Sequence, residues 1–132
     1  MLLVDDEHRM RRALRYLLEV EGIGVAGEAG DGVEAVTLAG ELAADVVVMD
    51  LRLPTIDGLE ATRRIRRQHH GTQVIIFTAQ DDATLQRQAR DAGAYACLAK
   101  GCSGEELVGL ILAADEVNDH PHQAAGQQAS PR

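Results

Sequence analysis

The stretch that most constrains this chain is Asp45-Val46-Val47-Val48-Met49-Asp50, followed by Leu51-Arg52-Leu53-Pro54-Thr55-Ile56-Asp57-Gly58. Three valines and a methionine in a row offer no polar side to water. The run therefore predicts a strand buried on both faces. Pro54 and Gly58 break the chain within a few residues. Asp50 thus stands where a core strand ends and a loop begins, the edge at which open α/β sheets bind their ligands. Taken alone it reads equally well as an ordinary loop acid, so its role depends on what the rest of the chain brings beside it.

Four other segments have the character of strands. Leu2-Leu3-Val4 is a very short apolar run ending at Asp5-Asp6. Ile23 to Ala29 is weaker and diluted by glycine, as suits a sheet edge. Gln73 to Phe77 ends at Thr78, and Ala94 to Leu98 ends near Lys100. Helical patterns separate them. Glu7–Glu21 carries an apolar stripe of Met10, Leu14, Leu17 and Leu18, with Arg9, Arg11, Arg12 and Arg15 elsewhere. Asp31/Glu34, Asp57/Glu60 and Ser103/Glu106 have capping-box spacing and predict helix starts. The first two open helices to about Ala43 and about Gln68. The second of these is rich in arginine (Arg63, Arg64, Arg66, Arg67) and reads as a solvated face. A helix over Asp82–Ala92 has only the thin stripe Leu85, Ala89 and Ala92, so it is expected to be a low-stability element. The last helix has its stripe at Leu107, Leu110, Ile111 and Ala114. Val108 and Leu112 lie off that stripe, which fits either a broad core face or a homodimer contact. From Asn118 the composition reads as a flexible tail or linker.

The fold class follows from this alternation. A strand–helix unit repeated five times gives an α/β domain with a parallel sheet covered by helices on both faces. The 132 residues suit one domain, here residues 1–117, with residues 118–132 as the tail. One Phe, two Tyr and no Trp make the core aliphatic. A net charge of −8 argues against a nucleic-acid surface within these residues. No apolar run approaches the ~18 residues of a membrane span, and no leader precedes the first strand, so a cytoplasmic location is expected. Cys97 and Cys102 fit no CxxC or zinc spacing and read as reduced thiols.

In a parallel sheet the ends of strands one, three, four and five share one edge. That edge gathers Asp5, Asp6, Asp50, Thr78 and Lys100. Carboxylates crowded together need a cation or protons. A set of oxygen donors without His or Cys favours a hard ion such as Mg²⁺. Three carboxylates, one such dication and the Lys100 ammonium sum to zero formal charge. A site of this kind can take up a phosphoryl group. Lys100 and the cation offset charge on its oxygens, the Thr78 hydroxyl hydrogen-bonds one of them, and Asp50 is the natural nucleophile, giving an aspartyl phosphate. Asp5 and Asp6 are better placed to hold the metal.

Leu2 to Asp6, Val48 to Gly58, Phe77-Thr78-Ala79, and Gly93-Ala94 leading to Leu98-Ala99-Lys100 together resemble the receiver domain of bacterial two-component response regulators. The resemblance covers about residues 1 to 117. It implies a flavodoxin-like (βα)5 three-layer sandwich with strand order 2-1-3-4-5. It also implies phosphotransfer to Asp50 from a phosphohistidine on a sensor histidine kinase, and Mg²⁺ held by Asp5, Asp6, Asp50 and the backbone carbonyl of Arg52. Glu28-Ala29-Gly30-Asp31-Gly32 and the Glu106-Leu107 helix are similar to the NarL/FixJ subfamily, whose members usually join a receiver to a helix-turn-helix DNA-binding domain. DNA contact would then require an output domain beyond these residues. In that family Thr78 and an aromatic three residues before the lysine form a switch. Here Cys97 holds that position, and Tyr95, two residues earlier on the same strand face, is the substitute.

Other readings weigh less. Haloacid-dehalogenase-like phosphatases, which turn over an aspartyl phosphate, carry a second Asp two residues after the nucleophile as general acid/base; this chain has Arg52. The expected chemistry is therefore limited to the chain's own phosphorylation and dephosphorylation. A stand-alone or degenerate receiver, acting as a protein-interaction module, is the alternative that Cys97 keeps open. A dinucleotide site is excluded, because two acids replace the glycine-rich turn after the first strand.

Overall fold

The computed structural model of the chain describes residues 1–80 and 82–118. Strands and helices alternate throughout: β1 (Leu2–Val4), α1 (His8–Val20), β2 (Gly27–Ala29), α2 (Gly32–Glu41), β3 (Val46–Met49), α3 (Gly58–Gln68), β4 (Gln73–Thr78), α4 (Ala83–Ala92), β5 (Ala96–Ala99) and α5 (Gly104–Asn118). All strand pairs are parallel, in the order β2-β1-β3-β4-β5. The expected flavodoxin-like order is the observed one.

Within each continuous apolar run the two-residue period of a strand decides which core a side chain joins. Leu2, Val4, Val47, Met49, Val74 and Ile76 face a core completed by Ala35 and Ala39 of α2, Ala61 and Ile65 of α3, and Ala89 of α4. Leu3, Val46, Val48, Ile75 and Phe77 face the opposite core, with Leu14 and Leu18 of α1 and Leu107, Ile111 and Ala114 of α5. Right-handed crossovers in this strand order require that division of the helices. The central strands are thus sandwiched, which is why polar residues occur in them only at the ends, as Gln73 and Thr78 of β4.

Several expected boundaries move. The second strand shrinks to Gly27–Ala29; Ile23 and Val25 pack on the α1/α5 core from an extended segment tied down by Ile23 N–H to Leu18 O and Ala26 N–H to Met1 O. The fifth strand begins at Ala96, because Ala94 still donates to Ala89 O at the end of α4. Helix α2 stops at Glu41, ahead of Ala43, whose positive φ of 47° cannot continue a helix. Helix α5 runs through Asn118, where the tail was expected to begin; the rest of that tail lies outside the described residues. Met10, Leu17 and Leu110 are only half-buried, whereas the other positions of their stripes are buried. Of the three capping boxes only Ser103/Glu106 closes reciprocally. Asp31 and Asp57 do cap their helices, but Glu34 reaches back to Gly30 N–H and Glu60 pairs with Arg63 and Arg64. Among the described residues, no helix is long and apolar enough to cross a membrane.

Candidate functional site

The register of the sheet puts the ends of β1 and β3 side by side, with Val4 opposite Met49. Asp5 and Asp50 follow those residues directly. The ladder continues into the site, for Asp50 N–H donates to Val4 O and Asp5 N–H to Ala29 O. On the other side β4 ends at Thr78 opposite Ala99, and Lys100 N–H donates to Thr78 O. Backbone pairing, rather than loop conformation, therefore sets the position of these four residues.

Their side chains converge. One oxygen each from Asp5, Asp6 and Asp50 lies within 4.8 Å of the others. Lys100 Nζ donates to Asp5 Oδ2 at 2.9 Å and to Asp50 Oδ2 at 3.3 Å. Asp5 Oδ1 accepts from Glu7 N–H and Asp50 Oδ1 from Leu51 N–H. Asp5, Asp50 and Thr78 are buried, Lys100 is half-buried and Asp6 is exposed. Asp6, Glu7, Asp50, Arg52, Thr78, Ala79, Gln80 and Lys100 line an open cleft of about 630 Å³ over the strand ends. Asp5 lies beneath it.

This geometry perturbs the charges. Burial pushes the Asp50 carboxyl above its ordinary range, and the neighbouring Asp5 charge acts the same way; Lys100 and the Leu51 N–H counter them only in part. Burial would by itself lower the Lys100 ammonium. The hydrogen bond to Asp5 and the charges of Asp50 and Asp5 outweigh it and hold the group above the usual lysine value. One lysine thus offsets part of the charge of three acids. The donor set fits a hard dication: oxygen only, close-set, and formally two positive charges short of neutrality.

Two glycines bring the backbone in close. A Cβ on Gly58 would lie 2.2 Å from Asp50 O, and one on Gly32 would lie 2.2 Å from Ile56 O. Gly58 N–H also donates to Leu51 O at 2.7 Å. The loop after Asp50 therefore folds tightly back on the strand end that holds it.

Residues 1–112 match the response regulator receiver domain family. The chain belongs to that family. It is 41% identical to the response regulator UvrY of Escherichia coli K12 over 112 residues, covering 84% of this chain and 51% of UvrY. It is 38% identical to GacA of Pseudomonas aeruginosa over 112 residues, covering 84% of this chain and 52% of GacA. The chain spans about half the length of these curated relatives. Among solved structures it is similar to a two-component response regulator of the LuxR family from Aurantimonas sp. SI85-9A1. That match has a TM-score of 0.83 and 39% identity, over 87% of this chain and 83% of the other. A LuxR-family DNA-binding response regulator from Staphylococcus aureus gives a TM-score of 0.80 and 28% identity, over 86% of this chain and 97% of the other.

The expected site residues Asp5, Asp6, Asp50, Thr78 and Lys100 thus share one edge of this receiver domain. Of the expected switch residues Thr78 lines the cleft, whereas Tyr95 and Cys97 do not: Tyr95 is exposed, and it lines a small hollow between α4 and β5 with Cys97 and Gln86. Gln86 Nε2 donates to Cys97 O. The sequence does not show the pairings that make three supports of the site, although Arg52 and Gln80 read from it as loop positions beside the phosphoryl site that tune water access. Arg11 donates to Asp5 O and, through Nε, to Glu28 Oε1, while Arg15 takes the other Glu28 oxygen. Arg52 Nη2 donates to Gln80 Oε1 across the cleft at 3.1 Å. Thr55 joins Asp31. The four-residue spacing of Arg11 and Arg15 was a readable signal that they share a helix face; nothing in the sequence places Glu28 opposite them.

Proposed function

We propose that Asp50 receives a phosphoryl group from a phosphohistidine on a sensor histidine kinase, and that the event depends on Mg²⁺. What supports this reading most is one feature: three carboxylates in contact range, two of them sharing Lys100, at the open end of a sandwiched strand. Asp5, Asp6, Asp50 and the backbone carbonyl of Arg52 would hold the metal. When bound, Mg²⁺ supplies charge neutralisation for the carboxylates and for the incoming phosphoryl oxygens.

An oxygen of the Asp50 carboxylate attacks phosphorus as the P–N bond of the donor breaks, and its electron pair returns to the imidazole, which takes up a proton. Lys100 offsets charge on the phosphoryl oxygens, and the Thr78 hydroxyl donates to one of them. Hydrolysis by water breaks the new P–O bond, releases inorganic phosphate and restores the Asp50 carboxylate. The chain catalyses only these two reactions on itself.

Readout is a population shift. Phosphorylation draws Thr78 toward the phosphoryl group and biases α4 and the surface at Cys97 and Tyr95. Residues 1–117 form the receiver unit and 118–132 a linker. The domain works in the cytoplasm and controls transcription through a helix-turn-helix output domain, in keeping with its likeness to LuxR-family regulators. Self-association through α5 is supported by Leu112 and Val117, which are 51% and 48% exposed.

The deciding experiment is intact mass after incubation with Mg²⁺ and a small phosphodonor. The wild type gains one phosphoryl group and Asp50→Asn gains none. A gain in the variant, or none in the wild type, overturns the assignment.

A further inference from the structure

The loop between Asp50 and α3 is clasped at both ends. At its far end Gly58 presses on Asp50 O and donates to Leu51 O. At its middle it is strapped to the first turn of α2, an element that contributes nothing to the carboxylate cluster. Gly32 N–H donates to Pro54 O at 3.1 Å, and Gly32 Cα packs so tightly on Ile56 O that no Cβ fits. Thr55 closes the strap. Its Oγ1 donates to Asp31 Oδ1 and accepts from Val33 N–H, both at 3.1 Å.

Thr55 does this from a left-handed conformation, φ 69°. A β-branched residue is a true outlier there, where Gly or Asn would sit without cost. Such an outlier persists only where its surroundings over-determine it. Here the hydroxyl is what a Gly could not supply, and both of its hydrogen bonds go to α2. Asp31 in turn uses the same oxygen to cap α2 through Glu34 N–H. One carboxylate oxygen therefore fixes the helix start and the loop together.

We propose that Thr55 and Asp31 are positioning residues for the cation site, holding the 51–57 loop so that the Arg52 backbone carbonyl is presented as a ready-made donor. The inference rests on the receiver reading above. Arg52 lies between the two clasps, three residues from Thr55, and its side chain points across the cleft to Gln80. Both clasps restrict how far its carbonyl can drift. Preorganised donors bind a cation more tightly than donors that must be ordered by it.

The test is Mg²⁺ titration calorimetry on the full chain, with amide hydrogen exchange of the 53–56 segment as a second readout. Thr55→Ala removes the hydroxyl and relaxes the β-branched crowding. Asp31→Gly removes the acceptor at little cost to the helix cap. Each should weaken Mg²⁺ binding by about threefold or more, the range expected for losing a hydrogen bond, and should speed exchange at 53–56. The double variant should bind Mg²⁺ as either single one does, because the two share one strap. Thr55→Ser, which keeps the hydroxyl, should bind as the wild type does. Wild-type Mg²⁺ affinity in Thr55→Ala, with thermal unfolding unchanged, would overturn the proposal while leaving the receiver reading intact. A wild type that binds no Mg²⁺ would overturn both.

Discussion

Lys100 Nζ lies 2.9 Å from Asp5 Oδ2 and is only 16% exposed, so it is held more closely to the end of the first strand than to Asp50, 3.3 Å away. The ammonium is thus shared unequally, and Asp50 is the less satisfied partner. Its raised pKa, caused first by burial and then by Asp5, is a stability statement. A carboxylate whose folded pKa lies above its unfolded value opposes folding once pH exceeds the unfolded value. Asp50→Asn should therefore stabilise the metal-free protein at pH 7 by about 1 kcal/mol. The gain should vanish as pH falls below the ordinary carboxylate range, where both states are protonated. Urea unfolding in the presence of a chelator at several pH values checks this; a less stable variant at pH 7 would refute it.

The opposite sign is expected at Glu28. Its carboxylate sits between Arg15 and Arg11 at 2.7 and 2.9 Å, and the Arg15 hydrogen bond above all, against the cost of burial, holds it below the usual range. The stability it contributes is present above its unfolded pKa and is lost as pH falls through the folded value. Glu28→Gln should cost about 1 kcal/mol at pH 7, and the two proteins should converge in acid. Arg11 also holds Asp5 O, so the variant should bind Mg²⁺ more weakly. An equal effect on stability at pH 3 and pH 7 would assign the loss to packing instead.

The Arg52–Gln80 hydrogen bond spans the cleft from the β3–α3 loop to the β4–α4 loop. Breaking it with Gln80→Ala should admit water to the phosphoryl group and shorten its lifetime by about fivefold, the effect of losing one hydrogen bond. The decay of phosphoprotein after donor removal measures this. Identical decay in wild type and variant would mean that the bridge does not gate water.

Gly58 admits no side chain, since a Cβ would meet Asp50 O at 2.2 Å. Gly58→Ala must move either α3 or the strand end, at a cost of about 2–3 kcal/mol. Because the atoms that give way belong to Asp50 itself, phosphorylation should fall further than stability does. A variant destabilised to this extent but phosphorylated at the wild-type rate would show that α3 moves and Asp50 does not.

Much of this protein could be read from one-dimensional pattern. The Val46–Met49 run, the three-residue apolar start and the Gln73–Phe77 segment identified the sandwiched strands, because burial on both faces leaves a chain no room for polar residues. Once the strands were parallel, Asp5, Asp6, Asp50, Thr78 and Lys100 had to share an edge, since each ends a strand or lies within two residues of a strand end. Strand ends were less legible: Ile23 and Val25 have strand-like chemistry but pack from a loop.

What only the tertiary structure decided is how the site is held. Lys100 prefers Asp5 to Asp50 by a few tenths of an ångström. Arg11 reaches an Asp5 carbonyl, and Thr55 adopts φ 69° to meet Asp31 across 24 residues of sequence. Such contacts depend on side-chain direction and backbone approach between segments that local sequence does not relate. Hydrophobic period and turn chemistry are local and sum along the chain, so they survive in the sequence as pattern. Hydrogen bonds between distant polar groups are matters of geometry, and they exist only once the strands have been laid side by side.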